Sequence, residues 1–307
     1  MSNSRVFSGS EKNELIDYLT GLAEHEDNLY RGYSKQDELL PSIIRKREMD
    51  IEIELLKEFE RYGAHYFSAV NPVDFMSYAQ HYGLPTRLLD FTTNPFIALY
   101  FAMFKQKGPR YTVADDKDYY YIRYARRIES LCFDELPVRF SDMYYDDNSI
   151  YSPTQDLEIR GGAKKPMTGY SLWSKARRML YEIENTTRQS VDGILQSGIR
   201  GERLLFIEPN QSNQRIIMQQ GLFMLPYTLN QTKLQEILDK NTTVIMIQKN
   251  LRETMLSYLD TVGINAFRLM PDLQNICEAV ERKVRERRNI SDESAKRVYL
   301  ENRLKGN

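Results

Sequence analysis

Apolar residues recur at helical spacing over 10–24, where Leu15, Ile16, Leu19 and Leu22 fall on one side and Ser10 stands in the capping position. The stretch 28–32 (NLYRG) is short, apolar and then basic, and predicts a strand. Ile51, Leu55, Leu56 and Phe59 mark a second helical face over 48–62, with acids in its first turns and Gly63 behind it. A third helix is expected over 73–82, stopped by Gly83 and Pro85. Then the chain restarts abruptly. Thr92, Thr93 and Asn94 precede Pro95, and proline is favoured at the first helical position behind a capping side chain. The run PFIALYFAMF that follows is apolar on every side, which predicts a buried helix. Its N-terminus is expected at the edge of the core, beside 80–90.

The middle, 106–200, is rich in tyrosine and charge. A strand is expected at 119–122, a loop at the glycines 161 and 162, and helical spacing returns over 172–184. Three later stretches read as strands: 203–207, 215–225 and 242–248. Gly221, in the middle of the second, suggests a bulge or a close backbone approach. Helices are expected over 251–259 and 273–288, and Ser291 caps a last charged one. Strands mixed with helices, without regular alternation, predict an α+β fold: a central mixed or antiparallel sheet with flanking helices, in one domain over 1–307.

Composition narrows the function classes. The chain is 41% hydrophobic and 28% charged over 307 residues, which suits a globular core. Lys plus Arg (42) nearly balances Asp plus Glu (43), so net charge argues for neither nucleic acid nor anionic membrane. Cys132 and Cys277 are far apart and in no metal-type spacing, which fits a reducing compartment. The longest apolar run, 95–104, is about half the ~20 residues a membrane helix needs, and the N-terminal sequence lacks signal-peptide character. Cytoplasmic localisation and no membrane partner are the expectations. Phosphate loop, GxGxxG, HExxH and GxSxG motifs are all missing, and three histidines argue against a multi-histidine metal site, so no metal is expected.

The positive signal is 80–94. Gln80, His81, Thr86, Arg87, Asp90, Thr92, Thr93 and Asn94 crowd a segment with apolar flanks. A buried unpaired polar group costs roughly 1–3 kcal/mol, so each needs a partner. Internal pairing satisfies this: Arg87 with Asp90, His81 with a backbone carbonyl, Thr93 or Asn94 as the helix cap. Direct ligand contact satisfies it equally, and a buried helix N-terminus with free N–H groups suits a phosphate. Arg31, before Gly32, offers a planar fork to phosphate or carboxylate, although an exposed strand-end arginine is commoner. Gln219 and Gln220 fall on the expected strand, so one should point inward, where an amide bonds a ribose hydroxyl or another amide. Arg45, Arg47 and the basic run 282–288 read as solvated helix surface.

The segments LYRGYSKQDELLPSIIR, AQHYGLPTRLLDFTTNPFIALYFA, NQRIIMQQGLF and GINAFRLMPDL resemble the FRG domain, named for an aromatic-Arg-Gly start. Tyr30 stands where that family has Phe, and Phe91 where it often has Trp. The resemblance covers 28–105 and 201–280, with the tyrosine-rich stretch as an atypical insert. A further likeness, to ADP-ribosyltransferases, rests on Arg31, a Thr-bearing strand end at Thr92 and Thr93, and Gln219 or Gln220, in that order. It implies NAD as cofactor. Arg31 would hold its ribose or phosphate, Thr92 or Thr93 would support the nicotinamide ribose, and the glutamine would bond the 2′-hydroxyl. Gln80, His81, Arg87, Asp90 and Asn94 would complete the nucleotide site. The implied role is an NAD-utilising toxin or phage-defence effector with a protein or nucleic-acid acceptor. A neutral glutamine stabilises the cationic transition state less than the glutamate usual there. The alternatives are a non-catalytic nucleotide or nucleic-acid sensing module, and hydrolysis with His81 and Asp90 as a proton-transfer pair.

Overall fold

The structure is a computed structural model that describes residues 4–66, 72–107, 110–113, 119–126, 131–132, 204–209, 213–226 and 228–272, with scattered positions at 177–180 and 275–284. The first half runs β1 (Ser4–Phe7), α1 (Lys12–Ala23), β2 (Asn28–Tyr33), a 3-10 turn (Gln36–Leu39), α2 (Ser42–Arg45), α3 (Glu52–Gly63), α4 (Pro72–His81), β3 (Leu89–Thr92) and α5 (Pro95–Met103). Next come β4 (Phe104–Lys107), β5 (Arg110–Val113), β6 (Tyr119–Arg126), β7 (Leu131–Cys132) and β8 (Leu205–Ile207). The last part is α6 (Gln214–Met218), β9 (Gly221–Met224), α7 (Gln231–Asn241), β10 (Thr243–Gln248), α8 (Arg252–Thr261) and α9 (Ala266–Leu269).

Eight strands form one mixed sheet in the order β1-β10-β6-β2-β3-β9-β8-β7. The outer ladders, β1 with β10 and β7 with β8, are parallel, and the ladders between them are antiparallel. This is the α+β architecture with a mixed central sheet. Strand alternation sorts the core into two faces. On one, Tyr30, Tyr120, Ile122, Ile245 and Ile247 pack under α1, α5 and α8. Farther along, Phe223, Leu205 and Ile207 pack under α3 and α4. On the other face, Leu29, Tyr33, Phe91 and Leu222 meet Ile43 of α2 and Leu234, Ile237 and Leu238 of α7.

The helix α5 forms where its pattern predicts and is buried along most of its length. It lies so close to β2 that a Cβ on Gly32 would overlap the Ala98 carbonyl oxygen and stand 2.8 Å from the Ala102 nitrogen. Only glycine admits that approach. The second residue of the Arg-Gly pair is therefore there for helix–strand packing.

Three expectations change. Residues 215–225 are not one strand: Asn213 caps α6 by accepting from the Arg215 N–H (2.9 Å), and Gln220, at φ 47°, closes it before β9 begins at Gly221. Gly221 opens that strand instead of bulging its middle. Ser10 is not the cap of α1, which starts behind Glu11 with no side-chain cap bond, while the Glu11 carboxylate accepts from the Ser8 N–H. The second helix begins at Glu52, four residues later than the acids suggested. The loop at 161 and 162, the Ser291 cap and the basic run 282–288 lie outside the described residues, apart from single positions, as do most of 172–184 and 273–288.

Candidate functional site

Four separated stretches meet around β3. The last turn of α4 brings Gln80 and His81, and Gly83, at φ 95°, ends the helix. The chain then runs back through a buried loop, where Thr86 and Arg87 are 0% and 6% exposed. Such burial demands partners, and Arg87 finds a strong one 35 positions back along the chain. Arg87 donates Nε (2.8 Å) and Nη2 (2.5 Å) to Glu52 Oε2, and its backbone N–H to Oε1 (3.1 Å). Glu52, not Asp90, is thus the partner of Arg87. The acid-rich helix start concealed it, because an acid in a first turn is ordinarily explained by the helix dipole.

Asp90 lies on β3 with its side chain 65% exposed. Gln80 Nε2 donates to its Oδ1 at 2.7 Å, and the Arg31 Nη1 stands 3.8 Å from Oδ2. Arg31 itself is largely enclosed. Its Nη1 donates to the Asp90 carbonyl (2.7 Å), and its Nη2 and Nε donate to the Glu38 carbonyl (2.6 and 3.2 Å). Strands β2 and β3 share one register pair, Tyr30 with Thr92. Beyond it the Arg31 guanidinium ties the two segments together. Burial pushes the Arg31 pKa down, and the Asp90 charge opposes that shift.

Past Asp90, the Thr92 hydroxyl donates to the Gln219 carbonyl (2.7 Å) and accepts from the Asn94 N–H (3.1 Å). Asn94 Oδ1 accepts from the Phe96 and Ile97 N–H groups (2.9 and 3.3 Å). Asn94, not Thr93, is therefore the cap, and with Pro95 lacking an N–H the first donors of α5 are already engaged. The expected phosphate site at this helix start is filled by the protein's own side chain. Thr93 and Gln220 are exposed neighbours: the Thr93 N–H donates to the Gln220 carbonyl (3.1 Å), and the hydroxyl lies 3.5 Å from Gln220 Oε1.

Gln219 and Gln220 occupy the turn between α6 and β9, not a strand. Gln219 Nε2 reaches the Leu269 carbonyl (2.9 Å), at the end of α9. Three residues on, Asp272 Oδ1 stands 3.4 Å from His81 Nε2. Asp272, not a backbone carbonyl, is the partner of His81. Burial lowers the His81 pKa and Arg215 of α6 lowers it further, against the pull of Asp272. The MPDL segment containing Asp272 was visible in the sequence, but nothing local marks it as a histidine partner 191 positions from its mate.

Alternation sends Arg31 to the side of Leu29 and Tyr33, while Thr92, in register with Tyr30, lies on the α5 side. The structure joins Gln80, Asp90 and Arg31 in one network, and Thr92, Thr93, Gln219 and Gln220 in a second at the other end of the same short strand. Among the described residues no group of three His, Cys, Asp or Glu could hold a metal ion, and no helix is long and apolar enough to cross a membrane.

The model of the FRG domain matches residues 26–110, so Gln219, Gln220 and Asp272 lie outside the matched stretch. No curated protein and no solved structure matches the chain. The match spans β2 through α5, the segment that carries the Tyr-Arg-Gly strand, the Arg87 pair and the capped buried helix, and these residues are an FRG domain.

Proposed function

We propose that the surface along β3 and the turn between α6 and β9 binds a nucleotide without turning it over, with NAD among the ligands it accepts. The observation that carries this reading is how the polar side chains divide. Arg31, Thr92, Asn94 and Gln219 direct hydrogen bonds at the main chain, whereas Asp90, Thr93 and Gln220 stand exposed beside them. The exposed set offers a carboxylate, a hydroxyl and an amide, which suit ribose hydroxyls and a base edge. The enclosed set supplies no free helix N-terminus for a diphosphate. The residues present therefore fit the sugar of NAD better than its pyrophosphate. Calorimetric titration with NAD and ADP-ribose tests the reading. Binding is expected, weakened about three- to tenfold by Gln220→Ala or Thr93→Ala, the loss of one hydrogen bond. Absence of heat with both nucleotides ends it.

A second reading is an ADP-ribosyltransferase-like effector, a toxin or phage-defence protein that passes ADP-ribose from NAD to a protein or nucleic-acid acceptor. Its support is topological: β2, β3 and β9 are neighbours, so Arg31, Thr92 and the glutamines come from adjoining strands and the turn that leads into one of them. Incubation with nicotinamide-labelled NAD separates the two. Release of nicotinamide that disappears in Arg31→Ala favours transfer. Binding without release favours the module.

A further inference from the structure

Resting on the nucleotide reading, we infer that Thr86 is a positioning residue that sets the polarity of Asp90, so that the site selects ligands presenting a vicinal diol. One chain of hydrogen bonds joins Thr86 to Asp90. The Leu88 N–H is a fixed donor and points at Thr86 Oγ1 (3.2 Å). The Thr86 hydroxyl donates to Gln80 Oε1. That leaves the Gln80 amide nitrogen facing Asp90 Oδ1, at 2.7 Å. The same order follows from the other end. A carboxylate only accepts, so Gln80 must turn its nitrogen to Asp90 and its oxygen to Thr86, which must then donate.

Thr86 is itself held from α2, because its N–H donates to Ser42 Oγ (2.9 Å) and its carbonyl accepts from the Ile43 N–H (3.1 Å). The side chain is fully buried and touches no ligand. Its effect is exerted two hydrogen bonds away, on an exposed carboxylate whose Oδ1 is held by Gln80 and whose Oδ2 faces Arg31 at 3.8 Å. The remaining lone pairs of that carboxylate face outward and accept. A phosphate, which also only accepts, is repelled there, while a ribose diol supplies two donors at the spacing of two carboxylate oxygens. An amide at Gln80 free to turn over would present its oxygen to Asp90 and push the carboxylate out of register.

The test compares ADP with its 2′,3′-dideoxy analogue by titration calorimetry, on the wild type, Thr86→Val and Asp90→Asn. Wild type is expected to prefer the ribose form by about tenfold, the worth of a charge-assisted hydrogen bond. Both variants are expected to bring that ratio near one while leaving affinity for the dideoxy analogue unmoved. A merely structural Thr86 would weaken both ligands alike, and retention of the preference in either variant overturns the inference. Should Thr86→Val fail to fold, Gln80→Leu at a half-buried position interrupts the same relay. If the wild type binds neither nucleotide, the nucleotide reading falls. The relay is then judged by NMR: the Gln80 side-chain amide protons are slow to exchange in wild type and lose that protection in Thr86→Val. Protection that persists in the variant overturns the relay too.

Discussion

Single residues here are explained by contacts as specific as any catalytic role, and two of them make sharp predictions. Gly32 touches the backbone of α5 on its one free side. Gly32→Ala forces β2 and α5 apart and is expected to destabilise the protein by about 3 kcal/mol or more, at the upper end of what overpacking costs. A thermal melt reads this directly, and a melting temperature within a degree of wild type would contradict it. The buried pair of Arg87 and Glu52, with side chains 7% and 2% exposed, predicts a different pattern. Glu52→Ala takes away a carboxylate that accepts two bonds from a buried guanidinium and is expected to cost about 3–5 kcal/mol in urea denaturation. Removing both partners together is expected to cost less than the sum of the single losses, which a double-mutant cycle measures. Arg31 stood out in the sequence as an arginine before glycine at an expected strand end, although β2 continues past it to Tyr33. Its targets, the carbonyls of Glu38 and Asp90, were not legible there, since a main-chain acceptor has no sequence signature.

At the scale of elements, the pattern was most reliable where capping chemistry and periodicity agreed. The asparagine–proline start and apolar run of α5 specify both its first residue and its burial. Asn94→Ala removes the acceptor for two N–H groups and is expected to cost about 1 kcal/mol. Asn94→Asp keeps the acceptor and adds a favourable charge at the helix start, so its melting temperature should stay near wild type. The failure at 215–225 has an equally local cause. Ile216 and Ile217 favour a strand by their branching, yet Asn213 caps a short helix over them, and Ile216 is drawn into the core under α3 and α4. β-propensity is a statement about fitting a half-buried sheet, so a tertiary contact elsewhere overrides it. The consequence reached the site: Gln219 and Gln220 sit on a turn whose backbone geometry, and not strand alternation, aims their side chains.

For the molecule as a whole, the sheet order interleaves the chain so thoroughly that β10, the last strand in chain order among the described residues, lies between β1 and β6. One pH dependence belongs to this scale, because it joins α4, α6 and the segment after α9. Burial, with Arg215 beside it, keeps the His81 pKa below its ordinary value near 6.5, despite Asp272. The unfolded chain then binds more protons than the folded one just below that value, so stability falls as pH drops from about 6.5 toward the lowered folded pKa. His81→Asn is expected to flatten the loss, measured as the change in denaturation midpoint between pH 7.5 and 5.5; an unchanged slope would show that His81 does not carry it. The amino-acid sequence alone determined the α+β class, the strand at the Tyr-Arg-Gly motif, the buried helix with its proline start, and the FRG-domain resemblance that the match over 26–110 supports, because periodicity and turn residues are encoded within a few positions of where they act. Only the tertiary structure decided the partners: Glu52 for Arg87, Asp272 for His81, the Glu38 carbonyl for Arg31 and the Leu269 carbonyl for Gln219. Pairing across tens of residues depends on which strands the packed core brings side by side, and no local pattern records that choice.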